Sequence, residues 1–393
     1  MSTEPRRVPL PEVRDLIELG QPLPFRVLDN LDRLLLGKGQ TVPNERQLEA
    51  LFERGACVEY DDVEAVRKTR AGAGAGAAHE HAERAPTLFD HWEQQTWALD
   101  GLVRDIAKGG VRAAQFEAHA DEHIALVDRH VEAALFMCIR QDDSRFALYG
   151  LTHCQHTATV VLLCARTLGW APGRARCAVL AALTMNLSIA TLQGHMAEQP
   201  DPPSKRQQEL LRAHPHAGAQ LLRDAGVADA EWLAAVEDHH EHPGGGGYPR
   251  GLSGVGGVGG VGEVAQMLHA ADVYMAKLSP RAFRAPLPPQ TAARQLFQDE
   301  KGGPVATALI KAMGVYPPGD FVRLKNGDAA IVVQRAGAGH GVVVASVLNS
   351  QGRPLPATRH DTADPVFAIT GPLTERTGLP RVLPEQLYGL LPS

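Results

Sequence analysis

Residues 239–252, His-His-Glu-His-Pro-Gly-Gly-Gly-Gly-Tyr-Pro-Arg-Gly-Leu, constrain this chain more than any other stretch. Two adjacent histidines close a helical run at 231–238, and a glycine cluster separates them from Tyr248-Pro249. A helix end can aim two neighbouring imidazoles at one centre, and glycines let the backbone turn tightly or approach a ligand closely. Neutral imidazole is the commonest metal ligand and also a general base. The competing reading is a helix stop with two solvated histidines, since glycine after a helix is an ordinary C-terminal signal. We take the metal reading, because further histidines and an aspartate flank the stretch at helical positions.

The rest of the chain bounds what such a site can serve. At 393 residues there is room for two or three domains with a sizeable core. A hydrophobic content of 44% with 21% charged residues is that of a soluble globular protein. The net charge of −6 argues against nucleic-acid binding, which needs a basic face. No apolar run reaches the length of a membrane span, and the N-terminus lacks the apolar core of a signal peptide, so a cytoplasmic location is expected. Cys57, Cys138, Cys154, Cys164 and Cys177 are odd in number and form no Cys-x-x-Cys pair, which predicts reduced, buried thiols.

Along the chain, residues 8–70 read as a small α+β module, with strands at 22–28 and 33–36 and a helix at 44–54. The Ala/Gly repeat at 71–86 reads as a flexible linker. Residues 87–315 carry helical periodicity. Within them, His119, His123 and His130 sit among acidic residues and read as a charged solvent face rather than a metal site. A helix over 145–170 carries His153, and a polar, proline-bearing loop is expected at 194–206. A helix over 206–223 contains His214-Pro215, where the proline predicts a kink or restart. His216 reads as a bystander. The Gly/Val repeat at 253–262 lacks the Gly-Lys-Ser/Thr ending of a phosphate loop. The helix at 263–278 buries Asp272 among apolar neighbours, and a buried carboxylate has to be paired or metal-bound. Residues 316–393 read as a small antiparallel β module, with strands at 321–324, 330–333 and 342–344 and a hairpin turn at 325–328. The fold expected is mainly α: a central helical bundle, a small N-terminal α+β module and a small C-terminal antiparallel β module.

His239-His240-Glu241, Gly247-Tyr248-Pro249 and Gly251-Leu252 resemble the signature of the HD-GYP family, bacterial phosphodiesterases that hydrolyse cyclic di-GMP at a two- or three-metal site. The resemblance covers about residues 145–300. It implies an HD-domain helical bundle and a metal ligand set of His153, His214, His239, His240 and Asp272. The run Ser279-Pro280-Arg281-Ala282-Phe283-Arg284 also matches, which implies phosphate contacts from Arg281 and Arg284, with Gly247 and Tyr248 as further substrate-binding residues.

The chain departs from the pattern at one place. Where the family has His-Asp-x-Gly-Lys, it reads Met185-Asn186-Leu187-Ser188-Ile189. A thioether replaces an imidazole, an uncharged amide replaces the carboxylate that bridges two metals, and an aliphatic chain replaces a phosphate-binding lysine. Tyr149 stands where some members place an acidic ligand for a third metal. With no catalytic residue identified among these three, we expect a degenerate HD-GYP-like protein that binds a ligand or partner in cyclic-nucleotide signalling. The alternative is an active metal-dependent phosphodiesterase with a reduced metal site. The site would hold one divalent metal (zinc, iron or manganese) or none. Its partners would be cyclic di-GMP or another nucleotide, and a signalling protein.

Overall fold

The computed structural model describes residues 6–30, 32–42, 45–72, 87–141, 145–256, 259–337, 339–373, 379, 382 and 384–389. The N-terminal part comprises β1 (Arg7–Pro9), β2 (Val27–Leu28), β3 (Leu34–Leu36), α1 (Glu45–Glu53), β4 (Cys57–Glu59) and α2 (Tyr60–Gly72). Its four strands form an antiparallel sheet in the order β1-β4-β2-β3. Phe25, Val27, Leu36, Leu48, Leu51 and Val58 are buried beneath it. The strand expected at 22–28 shrinks to Val27–Leu28, because Pro22 and Pro24 cannot donate to a ladder. The expected linker begins inside a helix, since Ala71 and Gly72 end α2. The remainder of that stretch, with His79 and His81, lies outside the described residues.

The helical part runs through α3 (Leu88–Ile106), α4 (Ala113–Arg129), α5 (Val131–Ile139), α6 (Tyr149–Thr167), α7 (Pro172–Thr184), α8 (Ala190–Glu198), α9 (Lys205–Asp224), α10 (Ala230–Asp238), α11 (Glu263–Leu278), α12 (Pro289–Asp299) and α13 (Pro304–Met313). Several starts are written in the sequence. Thr87 and Asp90 cap α3 reciprocally, as do Ser204 and Gln207 at α9. Asp229 caps α10, and Pro172, Pro289 and Pro304 open α7, α12 and α13. The helix α6 is buried on nearly every side, from Tyr149 to Ala165. It is the central post of the bundle, packed against α3, α4, α5, α7, α8, α11 and α13.

Two sequence expectations change here. Part of the loop expected at 194–206 is the last turn of α8. Gly194 lies there because a Cβ would come 3.1 Å from the carbonyl oxygens of Phe146 and Ala147. His119 and His123 are not on a solvent face. They share one face of α4 with Phe116, Ala120 and Val127, and all of these are buried. Their acidic neighbours Glu117, Asp121 and Glu122 point elsewhere on the helix, and Asp121 pairs with Arg176.

The C-terminal part is a five-stranded antiparallel sheet in the order β8-β7-β6-β5-β9. Its strands are β5 (Phe321–Leu324), β6 (Ala329–Gln334), β7 (Val343–Leu348), β8 (Pro354–Asp361) and β9 (Ile369–Pro372), and α14 (Pro384–Tyr388) follows. Glu132 of α5 holds Arg335, and the Tyr388 hydroxyl donates to the carbonyl of Val333. Five cysteines, all buried, remain free thiols. Among the described residues no helix is long and apolar enough to cross a membrane.

Candidate metal centre

Two backbone carbonyls orient the histidines of the centre. In α9 the chain runs through Pro215 without breaking. Proline has no N–H, so the carbonyl of Leu211, four residues back, has no helical donor. His214 takes it with Nδ1 at 2.5 Å. At the C-terminal end of α10, where carbonyls lose their helical partners, Nδ1 of His239 donates to Val236 at 2.7 Å. A carbonyl only accepts, so in both rings Nδ1 carries the proton and Nε2 bears the lone pair.

Those two Nε2 atoms lie 3.0 Å apart. Burial, and then the neighbouring His239, push the pKa of His214 down to about 3. Burial likewise lowers His239, with Asp272 opposing it, and holds His240 well below its ordinary value, with His239 adding to the effect. All three rings are therefore neutral near pH 7. Two lone pairs facing each other at this distance repel unless a cation lies between them. Donors about 2.0–2.1 Å from one ion necessarily sit about 3 Å or slightly more apart. His240 completes the group: one ring nitrogen from each of His214, His239 and His240 lies within 4.8 Å of the others. The donor set fits a single divalent ion.

His153 and Asp272 lie outside that three-histidine group and pair with each other, with Nε2 2.6 Å from Oδ1. Burial alone would raise the Asp272 pKa. The hydrogen bond from His153 and the fields of His153, His240 and His239 outweigh it and hold the carboxyl well below the usual range. The charge of Asp272 acts in turn on His214, His239 and His240. Nδ1 of His153 is buried without a hydrogen-bond partner.

Beyond the histidines, Glu241 shapes the loop. Fully buried, its carboxylate accepts backbone N–H groups from Arg250, Gly251 and Leu252. Arg250 also pairs with Asp238 at the end of α10. Gly247 makes the closure possible, since a Cβ would lie 2.6 Å from Cα of Glu241 and 2.7 Å from the carbonyl of His240. Tyr248 is thereby set against His240, with ring centroids 4.6 Å apart. Gly247 thus contributes space and Tyr248 a wall. His269, one turn before Asp272 on α11, donates Nδ1 to the carbonyl of His239 at 2.9 Å. Sequence reasoning missed His269 and the work of Glu241. The i, i+3 spacing of His269 and Asp272 on one helix face was the available signal. His216 is exposed and pairs with Glu237.

Met185, Asn186 and Ile189 are all buried where α7 ends. Burial raises the Cys154 thiol to about 12, with the neighbouring Asn186 opposing the shift. In the turn after α11, Arg281 donates to the Tyr149 hydroxyl at 2.6 Å, and Arg284 donates to the carbonyl of Ala276.

Comparison with known proteins finds partial similarities. Residues 122–302 match the family model described as HD domain. A cyclic di-GMP phosphodiesterase from Pseudomonas aeruginosa is 28% identical over 244 residues, which are 61% of this chain and 57% of that protein. The chain thus aligns with little more than half of the length of that relative. A solved structure of an HDG"Y"P protein from Bdellovibrio bacteriovorus superposes with a TM-score of 0.48 at 16% identity, covering 78% of this chain and 99% of that one. Residues 122–302 thus resemble an HD domain, and the chain is similar over 244 residues to a cyclic di-GMP phosphodiesterase.

Proposed function

We propose that this chain binds cyclic di-GMP at a one-metal HD centre and hydrolyses it poorly or not at all, acting in the cytoplasm as a regulator that passes the bound state to a signalling protein. The observation that carries this reading is the fate of the Met185-Asn186-Ile189 set. These three side chains are uncharged and buried. An amide in that place cannot neutralise a second cation, so we assign His214, His239 and His240 one ion of zinc, iron or manganese. Bound there, the ion would act as a Lewis acid on a phosphodiester oxygen.

The protein groups have separate tasks in this scheme. His214 and His239 present lone pairs fixed by Leu211 and Val236. Asp272 supplies the negative charge beside them, and His153 holds it in place. Arg281 and Arg284 offer cations to a phosphate. A working phosphodiesterase with a reduced metal site is the second reading, favoured by the intact pairing of His153 with Asp272.

Elemental analysis of the purified protein, run beside binding and hydrolysis of cyclic di-GMP with added Mn²⁺ or Fe²⁺, separates the two. We expect about one metal per chain, measurable binding, and turnover far below the typical enzymatic range of about 1–1000 per second. Two metals per chain with turnover in that range would overturn the proposal in favour of the enzyme.

A further inference from the structure

Arg281 and Arg284 close a tight turn, each donating its backbone N–H to the other's carbonyl. Ala282 fastens the turn to the end of α8 by donating to Ala197 at 2.7 Å. Among the described residues neither guanidinium has a carboxylate partner; their side chains bond to Tyr149 and to the carbonyl of Ala276. Burial, and next the repulsion from Arg281, lower the pKa of Arg284. Nε of Arg281 is buried and has no hydrogen-bond partner. Two guanidiniums crowded together without a counterion are arranged to receive an anion.

What fixes Arg281 is Tyr149. Its hydroxyl accepts from Nη2 at 2.6 Å, and the guanidinium carbon lies 5.0 Å from the ring centroid. The same ring stacks on His153, centroids 5.4 Å apart and planes 11° from parallel. Tyr149 is itself buried and cannot shift freely. It opens α6 directly after a turn at Phe146–Leu148. The residue before that turn, Arg145, is clamped by Glu93 and by the carbonyl of Leu35 in β3. The next residue, Gly150, lies so close to Ala190 that a Cβ would come 2.5 Å from its carbonyl oxygen.

We propose that Tyr149 is a positioning residue: it holds the Arg281 guanidinium beside the His153–Asp272 pair so that its accessible edge meets a phosphate oxygen of the bound ligand. This rests on the reading that the centre takes a phosphate-bearing ligand. The Tyr149 hydroxyl touches no reacting atom and acts through Arg281.

The test is a double-mutant cycle on the metal-loaded full chain, with cyclic di-GMP and inorganic phosphate as calorimetric probes. Tyr149→Phe keeps the stack on His153 and removes only the acceptor. It should weaken both probes roughly tenfold, the scale of one hydrogen bond to a charged group, while the metal content and melting temperature stay at wild-type values. In the Arg281→Ala background the same change should cost nothing further, because its effect passes through the guanidinium. Wild-type affinity in Tyr149→Phe would overturn the inference, as would a full additional loss in the Arg281→Ala background or a parallel loss of metal. Wild-type protein that binds neither probe would sink the ligand-binding reading, and this inference with it. Wild-type binding with an unaltered Tyr149→Phe would sink this inference alone.

Discussion

Asn186 lies buried in the core, and an amide there needs no counterion. Replacing it by aspartate asks the same space to hold a charge. Without metal, that carboxylate is buried and unpaired, and Asn186→Asp should destabilise the protein by about 3 kcal/mol. A second cation would give the carboxylate a partner, so added Mn²⁺ should restore most of the loss. Met185→His combined with Asn186→Asp should raise the metal content above that of the wild type and increase cyclic di-GMP hydrolysis at least about tenfold, since a single ligand is typically worth about 10–100-fold. Thermal melts with and without Mn²⁺, followed by turnover assays, check both statements. Equal melting of the wild type and Asn186→Asp in chelator would show that position 186 tolerates charge, and that the loss of the bridging group is not what limits this site.

At the scale of elements, α9 shows how a helix defect becomes a functional feature. Pro215 predicts a kink or restart, yet α9 continues, and the consequence is chemical: the freed carbonyl of Leu211 orients His214. Pro215→Ala restores an N–H that competes for that carbonyl. Stability should rise by about 1 kcal/mol or more, since proline is the least favourable residue inside a helix. Metal affinity should fall roughly tenfold as His214 loses its fixed tautomer. Opposite signs in a urea titration and a metal titration are the expected signature; unchanged metal affinity would mean that His214 is oriented by something else. The same element shows what the sequence makes legible. Ser204 and Gln207 mark its start by a local rule, and the His-Pro spacing marks a ligand by resemblance. The Leu211 contact appears only when the backbone is built. The loop expected at 194–206 from its polar and proline residues begins inside α8 for a related reason, because the contact of Gly194 with Phe146 and Ala147 is long-range. The strand β8 is invisible because it is a mostly exposed edge strand that carries two prolines and no apolar alternation to announce it.

Across the whole molecule, α6 joins the candidate metal centre to a second histidine group on its other side. His153 faces Asp272, whereas His156 lies beside Trp92, which also contacts His123 of α4. His123 meets the Thr159 hydroxyl through Nε2, and the Nδ1 atoms of His123 and His156 are buried without hydrogen-bond partners. The apolar period of α4 held the signal for this burial, and the acidic residues between the histidines hid it. Burial, with His119 and His156 adding to it, pushes His123 down to about 3; burial, then His153 and Arg145, does the same to His156. The sign of the linkage follows. Above pH 6.5 both rings are neutral whether the chain is folded or unfolded, and they contribute no pH dependence. Below 6.5 the unfolded chain takes up protons that the folded chain refuses until about pH 3, so stability falls as the pH drops through that window. Each histidine contributes a slope of about 1.4 kcal/mol per pH unit well inside the window, about 2.7 for the two. Urea midpoints measured in chelator should therefore fall steeply between pH 6 and pH 5. In the His123→Gln/His156→Gln double variant the slope should be shallower by that amount, while the contribution of His214, also near 3, remains in both proteins and cancels from the comparison. A variant slope equal to that of the wild type would mean that these rings are solvated when folded. The packing of α4 against α6 around Trp92 would then be looser than described.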